Sequence, residues 1–326
     1  MDWLSPSLPF LASLQKLTFL NAPAKFLSFL GNEEFFLLLL PFIFWCVSRK
    51  NGARLGALFL FSAAVNEIFK VGFALPRPYW LEPSLMLAVD KSFGFPSGHA
   101  QNAAVIWPFL AFRSRNPKLW LPLALLLVVA IAFSRLYLGV HFPVDALGGL
   151  LIGFAILGLA RVGEDGWMQF WREIYFHWKI VNAILLVLLL VGLYTVAVFV
   201  GPYKVTGGYT PPPADAVPAL MHALSGYNIS SRLGALFGLL VGFAATARYL
   251  SYSTQVSLNQ KVLRLIIGLI GIAVFYIGLK QIPIDTVPFR FTRYALTTFW
   301  VGFGAPWVFG LLERKSVSQE AAPAEA

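Results

Sequence analysis

The sequence predicts an all-α fold, a polytopic transmembrane helical bundle of about nine spans, on three observations. Hydrophobic residues make up 58% of the 326 residues and charged residues only 12%, where a soluble domain carries about 45–50% and about 25%. The mean hydropathy is +0.71. The apolar residues gather into runs near the roughly 20 residues that a helix needs to cross the hydrocarbon core, and in lipid a helix satisfies its own backbone. Together these exclude a soluble globular protein, a disordered chain and a collagen-like one.

Taken in order, the chain opens with an interfacial amphipathic segment over residues 1–30. Its apolar residues keep helical spacing from Leu8, but Lys16, Asn21, Pro23 and Lys25 interrupt them, which suits a helix lying in the interface better than one crossing it. Spans are then expected near 34–48, 54–70, 98–112, 119–138, 143–160, 180–200, 233–249, 262–279 and 295–312. Residues 31–200 form the core region and 232–312 add further transmembrane helices. Between them, 201–231 reads as an extracytoplasmic loop, turn-rich through Gly207-Gly208 and Pro211-Pro212-Pro213. Either a lid or a passive connector fits it. The polar, Ala-rich residues 313–326 are expected to be disordered. Gly149 and Gly153, and Gly234, Gly238 and Gly242, recur every four residues, the spacing of close helix packing in membranes. The single Cys46 excludes an intramolecular disulfide and a cysteine metal cluster.

Segments 49–54, 113–118, 161–179, 248–264 and 314–315 hold 14 of the 25 basic residues and fall on one side of the membrane. Basic loops stay cytoplasmic, so the amino terminus is expected outside and the carboxyl terminus inside. A net charge of +10 then reflects anionic lipid rather than nucleic acid as partner.

Three clusters of polar residues interrupt this apolar chain, and a charge at the membrane centre costs about 2.5–3.5 kcal/mol on insertion scales. They are Lys70 with Arg77-Pro78, then Pro96-Ser97-Gly98-His99, then Ser134-Arg135 with His141 and Asp145. Residues 79–95 join the first to the second without a crossing. Residues 100–133, at 1.5 Å each, give about 51 Å of helix, enough for one passage down and one back. All three clusters therefore finish on the outer face.

Such a cluster suits phosphoryl transfer, in which fixed charge and aimed donors neutralise phosphate oxygens as charge redistributes. Lys70, Arg77 and Arg135 supply charge, the arginines with bidentate geometry. The Ser97 hydroxyl and the amides of Gly98 and His99 open a helix whose positive end favours an anion. Two histidines allow a double displacement. His141 has Asp145 four residues on to set its tautomer, so it reads as nucleophile, Asp145 as its orienter and His99 as acid/base. Glu67, a turn before Lys70, and Asn102, a turn below His99, are candidate supports, although each also fits a structural role. His177 reads as inert. His222 is a weaker candidate for substrate contact. No cofactor is expected, and no carboxylate cluster on this face offers a metal site.

In this order, Lys-x6-Arg-Pro, Pro-Ser-Gly-His and Ser-Arg-x5-His-x3-Asp resemble the three-part signature of the type 2 phosphatidic acid phosphatase superfamily, with every position filled. The resemblance implies a six-helix phosphatase core and phosphate held by Lys70, Arg77, Ser97, Gly98 and Arg135. It also implies His99 as acid, His141 as nucleophile, Asp145 as its partner, metal-independent hydrolysis at the extracytoplasmic face, and inhibition by vanadate. The expected activity is hydrolysis of a lipid-linked phosphate monoester or diphosphate, with membrane lipids as surroundings and a bacterial inner membrane as location. A sugar-phosphate phosphatase, a lipid phosphotransferase and a non-catalytic lipid-phosphate transporter are the alternatives.

Overall fold

The computed structural model describes residues 4–201 and 225–320, and every regular element among them is helical. The helices are α1 (Leu8–Gln15), α2 (Asn21–Phe29), α3 (Glu33–Phe42), α4 (Arg49–Phe73), α5 (Pro78–Leu81), α6 (Gly98–Phe112) and α7 (Pro117–Tyr137). After them come α8 (Pro143–Glu173), α9 (Phe176–Val200), α10 (Tyr227–Tyr249), α11 (Leu258–Ala273), α12 (Val287–Phe299) and α13 (Ala305–Glu320). Most of the loop expected at 201–231, with His222, lies outside the described residues. So do residues 321–326 of the expected tail, while α13 runs on to Glu320.

Among the described residues seven helices are long and apolar enough to cross a membrane, or eight if the bent pair Thr18–Phe29 and Glu33–Val47 counts as one span. Nine were expected, and α6 accounts for part of the difference. At 15 residues it spans about 22 Å, short of the roughly 30 Å core. Its Ala100, Ala103, Ala104, Val105 and Ile106 are fully buried, so α6 is packed in protein and is not matched to lipid thickness. By contrast α9 leaves Leu185, Leu188, Leu189 and Val196 exposed, a lipid-facing pattern.

The chain divides into two compact units. The first comprises Met1–Leu37, Leu58–Met168 and Leu188–Ile229. Within it α6 lies against α7, where Ala103, Ala104, Val128 and Ile131 form a buried cluster. The start of α8 crosses α6 so closely that a Cβ on Gly149 would strike the Ser97 carbonyl, and one on Gly153 the Gln101 carbonyl. Buried amides tie α4 to α6: Asn66 Nδ2 donates to Gln101 Oε1 at 2.8 Å, and Gln101 Nε2 donates to the Ser62 carbonyl at 2.8 Å. Gln15 Nε2 of α1 donates to the carbonyls of Leu85 and Tyr137, each at 2.9 Å.

The second unit comprises Leu38–Ala57, Gln169–Val187 and Ser230–Ala326. Its small-residue stripe on α10 meets backbone directly, Gly234 against Phe291 and Gly238 against Ala295. Arg264 is buried there and donates from Nη1 to the carbonyls of Trp45 at 3.0 Å and Ser253 at 2.7 Å. Trp45 Nε1 donates to the Val301 carbonyl at 2.9 Å.

Candidate active site

The three polar clusters meet in the first unit, at the carboxyl ends of α4 and α7 and the amino ends of α6 and α8. Local sequence explains each placement. Pro76 and Pro78 stop the α4 helix from continuing, and Arg77 lies extended between them and α5, with φ −94° and ψ 156°. Ser97 caps α6, its hydroxyl accepting from the Ala100 amide at 3.5 Å. Gly139, at φ +69°, makes the turn out of α7 that a β-carbon would block against Leu85. Pro143 opens α8, and the Asp145 carboxylate accepts from the Phe142 amide at 2.8 Å. A backbone bond from the Ser97 amide to the Asp145 carbonyl, 2.9 Å, joins the second and third clusters.

Arg77 is fully buried and anchors the site. Its Nε donates to the Ser92 carbonyl at 2.6 Å and its Nη1 to the Val140 carbonyl at 2.8 Å. Its Nη2 donates to the Phe93 carbonyl and Ser92 Oγ, both at 3.0 Å, and pairs with Asp90 Oδ2 at 3.0 Å. Lys70 Nζ donates to the same loop, to Ser92 Oγ at 2.9 Å and the Phe93 carbonyl at 2.7 Å. Arg135 reaches Asp90 Oδ2 at 3.8 Å through Nη2, and its Nη1 donates to Ser28 Oγ.

His141 is fully buried, with Nδ1 3.4 Å from Asp145 Oδ2 and Nε2 3.3 Å from Arg77 Nη1. A guanidinium only donates, so this second contact fits an Nε2 that carries a lone pair and an Nδ1 that carries the proton, facing Asp145. Burial, then Arg77, Lys70 and Arg135, hold the imidazole well below its ordinary 6.5, with Asp90 acting the other way. This direction favours the neutral ring, whose Nε2 faces Arg77 and whose Nδ1 faces Asp145. His99 is half-buried and lies in the field of the same four charges, Arg135, Asp90, Lys70 and Arg77. Its Nε2 is 2.7 Å from Asn32 Oδ1.

The structure thus gathers Lys70, Arg77, Ser97, Gly98, His99, Arg135, His141 and Asp145 at one end of one unit. Each of the two candidate supports has a bond away from the signature residues. Glu67 Oε1 accepts from Asn228 Nδ2 at 3.1 Å. Asn102 Oδ1 accepts from Ser62 Oγ at 3.4 Å, inside the α4–α6 contact, and Asn32 is the amide on the His99 ring. Sequence reasoning missed Ser28, Asn32, Asp90 and Ser92. For Asp90 the available signal was a carboxylate in the short segment joining two cationic motifs. Burial alone would raise its pKa; Arg77, Lys70, Arg135 and His141 overcome that and hold it well below the usual carboxylate range. Three buried cations in one place demand anions. Asp90, a quarter exposed, supplies one negative charge beside Arg77 and Arg135.

Comparison with known proteins gives the family. Residues 51–169 match the model of the PAP2 superfamily. Residues 230–316 match that of the PAP2 superfamily phosphatase transmembrane extension. The chain is 30% identical over 174 residues to phosphatidylglycerophosphatase B of Bacillus subtilis, covering 50% of this chain and 83% of that one. It is 31% identical over 149 residues to a probable sphingosine-1-phosphate phosphatase of Dictyostelium discoideum, covering 41% of this chain and 36% of that one. Against the undecaprenyl-diphosphatase of Sulfolobus acidocaldarius it is 31% identical over 108 residues, covering 32% and 52%. The chain spans about a third to a half of the length of the last two. With one relative covered over most of its length and two family models matched in order, this multi-pass membrane chain belongs to the PAP2 superfamily, among the phosphatases that carry its transmembrane extension.

Proposed function

We propose that the protein hydrolyses a lipid-linked phosphate monoester or diphosphate at the extracytoplasmic face, through a phosphohistidine and without a metal. The observation that carries this reading is the His141 ring, buried, and turned with Nε2 against Arg77 and Nδ1 towards Asp145. In the first step Nε2 attacks phosphorus in line with the leaving oxygen. The N–P bond forms, the P–O bond breaks, and His99 gives its proton to the departing oxygen. Asp145 stabilises the charge that develops on the phosphorylated ring through Nδ1–H. In the second step His99 takes a proton from water, whose oxygen attacks phosphorus and releases His141 and inorganic phosphate. Lys70, Arg77, Arg135 and the amides at the start of α6 neutralise the three equatorial oxygens in both steps.

Phosphate chemistry at helix ends, with apolar helix faces around it, suits a headgroup presented by a tail that stays in the bilayer. The relatives named for phosphatidylglycerophosphate, sphingosine 1-phosphate and undecaprenyl diphosphate share that construction. The test is phosphate release in mixed micelles containing a chelator. The panel is phosphatidylglycerophosphate, phosphatidic acid, sphingosine 1-phosphate, undecaprenyl diphosphate and glucose 6-phosphate. Lipid phosphates are expected to turn over, phosphatidylglycerophosphate first among them, and His141→Ala is expected to lose about 10³-fold or more in kcat. Turnover of glucose 6-phosphate alone, or equal rates with and without His141, contradicts the reading.

A further inference from the structure

The turn between α2 and α3 lies outside both matched family regions, yet it touches two residues of the site. Asn32 Oδ1 stands 2.7 Å from His99 Nε2. Gly31 lies so near the same ring that an added Cβ would fall 2.9 Å from His99 Cδ2 and 3.1 Å from Ile131 Cγ2. One turn earlier, Ser28 Oγ accepts from Arg135 Nη1. The turn is itself fastened to the core. Gln15 reaches two core carbonyls, and the Tyr137 hydroxyl donates to the Leu17 carbonyl at 3.2 Å. Ser28, within the segment that reads from sequence as an interfacial amphipath, thus reaches the site, and so do Gly31 and Asn32 just beyond it.

We infer that Asn32 is a positioning residue for His99: it holds the proton on Nε2, so that Nδ1 is the nitrogen that gives its proton to the leaving oxygen and takes one from water. An amide carbonyl only accepts, so the ring nitrogen facing it carries hydrogen in both protonation states. The proton that comes and goes must then use the other nitrogen. The carbonyl also solvates the imidazolium among three cations, where, among the described residues, Asp90 is the favourable charge acting on the ring. A side chain at Gly31 would force the turn or the His99 ring to shift.

This inference rests on reading His99 as the acid/base. The experiment compares kcat/KM for an alkyl phosphate lipid and for an aryl phosphate, whose leaving oxygen needs no proton. Wild type, Asn32→Leu, Asn32→Asp and His99→Ala are assayed across pH, with thermal unfolding in detergent recorded for each. Asn32→Leu is expected to lose about 10–100-fold on the alkyl substrate, with KM little changed, and to lose far less on the aryl one. Asn32→Asp places a carboxylate on Nε2–H, raises the pKa of the imidazolium, and is expected to move the alkaline limb of the profile to higher pH. Equal losses on both substrates, or an unmoved limb in Asn32→Asp, overturn the role of Asn32 while His99→Ala still shows leaving-group dependence. If His99→Ala itself shows none, the reading of His99 fails and the role of Asn32 falls with it.

Discussion

Arg77 meets Ser92, Phe93, Val140, His141 and Asp90 within 3.3 Å. Three backbone carbonyls alone fix its plane, so Asp90 is not needed to hold it. What Asp90 adds is charge, close to where a phosphate dianion would sit. Unit charges of like sign about 6–8 Å apart repel by about 2–3 kcal/mol at an effective dielectric of about 20, a dianion by about twice that, and relaxation and salt remove most of it. Asp90→Asn is therefore expected to lower the inhibition constant of inorganic phosphate about tenfold while kcat changes little. A higher inhibition constant shows instead that the carboxylate orients Arg77 or Arg135. Asn32 and Ser28 were not legible in the sequence because each is a lone polar residue without a motif, and long-range closure of the chain alone gives it a partner. The signature residues were legible because three chemically complete clusters fall at span ends, where a bare charge needs a reason. Which amide meets His99 was not: Asn102 has the helical spacing, but its side chain faces α4 and Ser62.

At the scale of elements, the site depends on how close α8 comes to α6. Gly149 faces the Ser97 carbonyl and lies 3.2 Å from Ala100 Cβ on the same measure, whereas Gly158, farther along α8, has nothing within 4 Å. Gly149→Ala gains up to about 1 kcal/mol in helix propensity but meets backbone, and overpacking costs about 1–3 kcal/mol. The clash wins. Gly149→Ala is expected to melt lower in detergent and to lose activity about tenfold or more, because the carbonyl that must move belongs to Ser97. Gly158→Ala is expected to melt at the same temperature or higher with activity intact. Equal behaviour of the two variants contradicts the close crossing. Helix existence was legible in the apolar runs, and helix ends were not. α8 was expected to end near 160 yet continues to Glu173, since apolarity marks the membrane edge while backbone hydrogen bonding marks the helix edge. The wide π turns at Ile43–Val47 and Trp300–Gly304 leave no mark in composition at all.

For the whole molecule, every signature side chain belongs to the first unit, while the matched extension, residues 230–316, falls within the second. The proposed chemistry thus draws on residues of one unit, and its test is a covalent phosphate at His141. An aryl phosphate makes this directly visible in His99→Ala. Its leaving group departs without a proton, while hydrolysis of the phosphorylated ring still lacks its base. The decisive measurement is a rapid alkaline quench of that variant during turnover, followed by mass spectrometry of the peptide spanning 136–161. A burst of aryl alcohol and one added phosphoryl group on His141 are expected, both absent from His141→Ala. A burst without label on His141, or label on another residue, contradicts the proposed chemistry.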